Sequence, residues 1–142
     1  MATYTKYETF VENFANKLID AFGTTDTWKA IIHTDAPTVA TDNAVSDLTQ
    51  ISGNNGYTTG GDSITFNSTR TGGTVTATAT DVVWTASGGN LGSSTTGRYF
   101  TIYDDTSAAD NVLASYDYGA TFTVATGETM TLDFGASLFT LA

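Results

Sequence analysis

From Thr74 to Thr80 every second residue is threonine, and Val75, Ala77 and Ala79 fill the positions between them. A period of two puts the threonines on one face and the small apolar residues on the other, which is the pattern of a half-buried strand and not of a helix. The same bias runs through the whole chain. Threonine accounts for 30 of the 142 residues, and charged residues for only 14%, well under the usual quarter. A β-branched side chain packs well on a pleated sheet, so this composition favours strands. The length suits a single domain over residues 1–142.

One segment obeys a different period. Phe10, Phe14, Leu18 and Phe22 recur every fourth residue, with Val11, Ala15 and Ile19 beside them. This apolar stripe predicts an amphipathic helix over residues 5–23. Thr5 followed by Glu8 reads as a capping box, and Gly23 as a left-handed stop. From residue 27 to residue 142 the pattern is that of a β-sandwich. Trp28, Ala30 and Ile32 share a strand face. Residues 35–61 form a long polar loop, with Pro37 in an extended segment and Asn54-Asn55-Gly56 and Gly60-Gly61 as turn signals. Val45, Leu48 and Ile51 would pin that loop to the body.

Beyond it, Ser63 to Arg70 alternates with Ile64 and Phe66 on one face, and Gly72-Gly73 closes a hairpin to residues 74–84. The alternation slips near Asp81, which signals a β-bulge or a change of sheet. Arg98 to Tyr103 is apolar on both faces and reads as a central strand. Further strands are expected at 112–118, 121–124, 130–134 and 138–141. Trp28 and Trp84 fall on apolar faces and are expected in the core. The fold class that follows is mainly β, an antiparallel β-sandwich or jelly roll with one N-terminal amphipathic α-helix.

Charge and composition narrow the function classes. Fifteen acids against five bases give a net charge of −10, which repels phosphate backbones and anionic lipid. Nucleic acid and membrane are therefore not expected partners. No stretch has the length of a membrane span, and the start lacks the basic and apolar regions of a signal peptide. Without cysteine there is no thiolate chemistry and no disulfide. His33 is the single histidine, with Asp35 as its nearest acid in sequence and no G-x-S-x-G elbow elsewhere. It reads as a strand or strand-end histidine at a surface. Asp104, Asp105, Asp110 and Asp117 cluster around one hairpin. Paired carboxylates serve glycoside hydrolysis, and the first three would suit calcium, but turn aspartates commonly cap their own backbone and no EF-hand pattern is present. They read as solvated turn acids. No catalytic residue, cofactor or metal is expected.

The tyrosines leave a choice open. Tyr116-Asp117-Tyr118 fits half-buried strand tyrosines and also an aromatic platform for sugar. As candidate interface residues the sequence offers Phe10, Phe14, Leu18, Tyr57, Tyr116 and Tyr118.

Several segments carry a resemblance. They are Tyr7-x-x-Phe10-Val11-x-x-Phe14-Ala15-Asn16, Asp26-Thr27-Trp28-Lys29-Ala30, Thr34-Asp35-Ala36-Pro37, Asn54-Asn55-Gly56-Tyr57, Trp84-Thr85-Ala86-Ser87-Gly88-Gly89, Tyr116-Asp117-Tyr118-Gly119 and the run from Gly127 to Phe134. Together they resemble small virion structural proteins encoded near the capsid genes of tailed bacteriophages. The resemblance implies a decoration (cement) protein or head fibre, without catalytic residues. It implies binding to the major capsid protein on the capsid surface of the virion, after synthesis in the host cytoplasm. It also implies a homo-oligomer, with a trimer matching threefold positions of an icosahedral lattice. The alternative is a fibre or tail module that binds host-surface glycan.

Overall fold

The computed structural model describes residues 3–21, 25–93 and 96–142. Among them are ten strands and one α-helix: β1 (Thr3–Lys6), α1 (Glu8–Ala15), β2 (Trp28–His33), β3 (Asp62–Ile64), β4 (Phe66–Thr71), β5 (Thr74–Ala79), β6 (Val82–Thr85), β7 (Gly97–Asp104), β8 (Val112–Phe122), β9 (Thr129–Leu132) and β10 (Phe139–Leu141). The strand pairings are antiparallel. Five strands form one sheet in the order β1-β8-β7-β2-β3; β10-β5-β4 and β6-β9 form two smaller ones. The mainly β, antiparallel architecture with one helix is the one the sequence predicts.

Register explains how the layers meet. Tyr4, Tyr116, Phe100 and Ile32 lie opposite one another across β1, β8, β7 and β2 and so share a face. Trp84 of β6 stacks on Phe100 at 5.8 Å, Phe134 meets Tyr116 at 5.9 Å, and Phe66 of β4 meets Trp28 at 4.5 Å. The core lies between the five-stranded sheet and the two smaller ones, and both tryptophans are in it. On the opposite face, the start of α1 and the segment after β2 form the cover. Glu8 N–H donates to the Val39 carbonyl, and Asn13 Nδ2 to Asn43 Oδ1.

The helix is shorter than its stripe predicts. Thr5 sits in β1 rather than at a cap, and Tyr7 is the N-cap residue, without a side-chain cap. At the other end Lys17 adopts φ 58°. Lys17 N–H then donates to the Phe14 carbonyl and Leu18 N–H to the Asn13 carbonyl. This is the Schellman closure with lysine where glycine is usual. The turn throws Leu18 out to 58% exposure and sends Ile19 and Ala21 into the core instead. The apolar repeat therefore continues in sequence but not along one helix face. Phe22 and Gly23 lie outside the described residues.

Other expectations are refined in the same way. Ser63 to Arg70 is two strands in different sheets, and the slip near Asp81 is a change of sheet between β5 and β6. The two crossings are tied together: Thr65 N–H donates to Thr80 Oγ1, and Thr80 N–H to the Thr65 carbonyl. Residues 112–122 form one strand, not two. The long loop carries one 3-10 turn, Val45–Asp47, and isolated bridges to β2 and Asn111, with Val45, Leu48 and Ile51 buried as expected. Gly61 takes φ 72° against the Ala30 carbonyl, where a Cβ has no room.

Candidate functional site

Strand periodicity assembles an aromatic cleft at one edge of the main sheet. Tyr116 and Tyr118 are two apart on β8 and share a face. Tyr4 of β1 lies opposite Tyr116, their rings 5.3 Å apart and edge-on. The last β1–β8 pair described is Thr3 with Asp117, so β8 runs on past it towards Phe122. Tyr118 leans edge-on against Phe122 at 5.2 Å and stays 48% exposed. Thr131, Leu132 and the turn through Asp133, Phe134 and Ser137 form the facing wall. The open cleft has a volume of about 640 Å³.

Polar groups rim this apolar floor. Among the described residues, the hydroxyls of Tyr4, Tyr116 and Tyr118 make no hydrogen bond to the protein. Burial pushes the Tyr4 phenol up to about 12 and raises Tyr116 as well, so both stay neutral donors. Asp133 turns one carboxylate oxygen to the Gly135 N–H at 2.7 Å. On the other face of β8, Arg98 Nε and Nη2 each donate to Asp117 at 3.0 Å, which holds that carboxyl below its usual range.

No family model, curated protein or solved structure matches this chain.

The six sequence candidates separate into different environments. Phe10 is buried against Phe139 at 5.5 Å, and Tyr57 is buried with its hydroxyl donating to Gln50 Oε1 and accepting from Ile32 N–H. Both are buried within the chain. Tyr116 is buried too, but at the floor of the cleft. Phe14 is half-buried beside Phe10, while Leu18 and Tyr118 are exposed. The six candidates leave out Tyr4, Asp133 and Phe134, which join Tyr116 only through pairing and layer contact. The alternating Thr3-Tyr4-Thr5-Lys6 was the available signal for Tyr4.

The residues weighed for chemistry are dispersed. His33 is fully buried, not at a surface: Nε2 lies 2.9 Å from Thr101 Oγ1, which also meets the Tyr7 hydroxyl at 3.2 Å. Burial lowers its pKa against the opposing pull of Asp35. Asp104 is not solvated either. It is buried, with Oδ1 accepting from the Thr106 and Ser107 N–H groups and Oδ2 accepting no hydrogen bond. Desolvation pushes it up to about 6, and the Asp26 carboxylate beside it adds to the rise. Asp105 pairs with Lys29 at 2.8 Å, and Asp110 is exposed. Among the described residues, no group of three acids or histidines is placed to hold a metal ion.

A second surface stands apart from the cleft. The β4–β5 hairpin starts at the Thr65–Thr80 crossing with Phe66 and Ala77 still packed in the core, and Gly72-Gly73 closes its far end with φ 61° at Gly72. β5 is flanked by β10 and β4, so the outer edge of β4 is unpaired among the described residues. Asn67, Ser68, Thr69, Arg70 and Thr71 are exposed on both faces. Arg70 is the only charge from residue 63 to residue 80, in a chain with a net charge of −10.

Proposed function

We propose that this chain is a non-catalytic structural protein of the virion, a decoration (cement) protein that binds the major capsid protein and stabilises the shell. One observation carries the reading: residues 67–71 of strand β4 form a nearly uncharged edge, exposed on both faces. An edge strand offers its free N–H and C=O groups to a strand of another protein. Natural edges are usually blunted by charge, proline or cover, and β4 has only Arg70. The segment-by-segment resemblance to phage virion proteins supports the same reading.

Magnitudes favour many weak attachments over one strong one. Each main-chain hydrogen bond to an added strand contributes about 1 kcal/mol net, and a strand of this length offers only a few outward groups. Attachment of one copy is therefore weak, and a shell gains stability from copy number and from oligomers, a trimer above all. Thr69→Lys places a second charge on the edge without touching the core. Co-sedimentation with undecorated capsids is expected to retain the native chain and to lose about tenfold in affinity with Thr69→Lys. Native chain left entirely in the supernatant would overturn the proposal.

A further inference from the structure

We propose that the cleft between Tyr4, Tyr116, Tyr118 and Phe134 is a binding site for a neutral saccharide. It is a separate surface from strand β4, so this assignment stands or falls independently of shell attachment. The volume of about 640 Å³ lies within the usual span of small-ligand sites and takes one or two sugar rings. Tyr118, half in solvent at the cleft mouth, offers a rigid ring for the apolar C–H face of a pyranose. Among the described residues the tyrosine hydroxyls have no protein partner, and one Asp133 oxygen is committed to Gly135 while the other is left to accept. This mixture of aromatic floor and polar rim suits a ligand that is itself apolar on its faces and hydroxylated at its edges. An aliphatic side chain from a partner protein would desolvate the same hydroxyls and carboxylate without replacing their water.

Charge selects the class of sugar. Among the described residues, Asp133 is the single carboxylate lining the cleft and no cationic side chain lines it. The whole chain carries a net charge of −10. Sialylated and uronic sugars are repelled, and neutral ones are admitted.

The experiment is a titration of the full, isotopically labelled chain with lactose, maltose and diacetylchitobiose, followed by two-dimensional NMR, with 3′-sialyllactose as the charged probe. At least one neutral sugar is expected to shift the resonances of Tyr4, Tyr116, Tyr118 and residues 131–135 with millimolar affinity, and sialyllactose to bind more weakly than lactose. Tyr118→Ala, with folding checked by the unchanged resonances of core residues, is expected to weaken binding about tenfold. Asp133→Asn keeps an acceptor for Gly135 and is expected to narrow the gap between sialyllactose and lactose. No shift at these residues with any of the neutral sugars would overturn the assignment. So would neutral-sugar binding that Tyr118→Ala leaves unchanged, or a cleft that takes an amphipathic peptide in place of every sugar.

Discussion

Thr101 joins two buried polar side chains, His33 and Tyr7, which also have Asp35 and Ser115 nearby. Its hydroxyl lies 2.9 Å from His33 Nε2 and 3.2 Å from the Tyr7 hydroxyl, and all three residues are buried. Thr101→Val keeps the shape and removes the oxygen. His33 Nε2 and the Tyr7 hydroxyl each lose this buried hydrogen bond, at about 1–2 kcal/mol each, so urea unfolding is expected to show a loss of about 2–4 kcal/mol. A loss within error would mean that these contacts are not made. Protonation adds a test with opposite signs at two sites. His33 titrates below its usual 6.5 in the fold. The unfolded chain takes up that proton first, so stability held above about pH 6.5 declines as the pH falls below it. Asp104 is raised from 3.8 to about 6 by burial and by Asp26. Its favourable contribution is complete below pH 3.8 and is lost as the pH rises through about 6. Asp104→Asn keeps an acceptor for Thr106 and Ser107 and carries no charge. It is expected to gain stability over the native chain at pH about 8 and little at pH about 4, as measured by denaturant midpoints. Neither burial was legible in the sequence. Thr101 lies 68 residues from His33, and Asp104 is closed off by a turn that looks, residue by residue, like any acidic surface turn.

At the scale of elements, the α-helix illustrates how a correct period can give a wrong length. Phe10 and Phe14 do sit on the inner side, but the stripe says nothing about where the backbone turns. The stop is local: Asn16 and Lys17 are free to leave the helix, and Leu18 and Asn13 then close it. A lysine at φ 58° is strained by about 1 kcal/mol, a cost glycine does not have. Lys17→Gly is therefore expected to raise stability by about 0.5–1 kcal/mol, read from the denaturant midpoint at unchanged slope. Destabilisation would place the helix end elsewhere. The strands were more legible than the helix because their signals are short-range. Gly72-Gly73 marks its hairpin and Phe100 to Tyr103 marks a central strand without reference to distant residues. What the alternation could not reveal is sheet membership. Ile64 and Phe66 share a parity in sequence, yet the break at Thr65 sends them to different sheets. The aromatic cleft was half legible for the same reason: Tyr116 and Tyr118 announce themselves, while Tyr4 and Phe134 arrive by pairing and by layer contact.

The whole molecule presents one buried core and two differently equipped surfaces. The inner faces hold Trp28, Trp84 and Phe100, and no helix among the described residues is long and apolar enough to cross a membrane. The edge of β4 is suited to add a strand, and the cleft beside Tyr118 to hold a small hydroxylated ligand. Because Thr69 is exposed on β4, three residues beyond the Phe66–Trp28 contact that anchors the strand in the core, a change there should leave global stability alone. Thr69→Lys is accordingly expected to shift the melting temperature by no more than about 2 °C, since a surface substitution typically stays within about 0.5 kcal/mol. A larger drop would mean that this edge is part of the folding core. The most direct test of the central proposal is an electron cryomicroscopy reconstruction of particles assembled with and without this chain. The proposal predicts extra density on the outer capsid surface, into which the chain fits with residues 67–71 against the major capsid protein. A reconstruction in which the chain adds no density to the shell, or touches it only through other faces while β4 points to solvent, would contradict it.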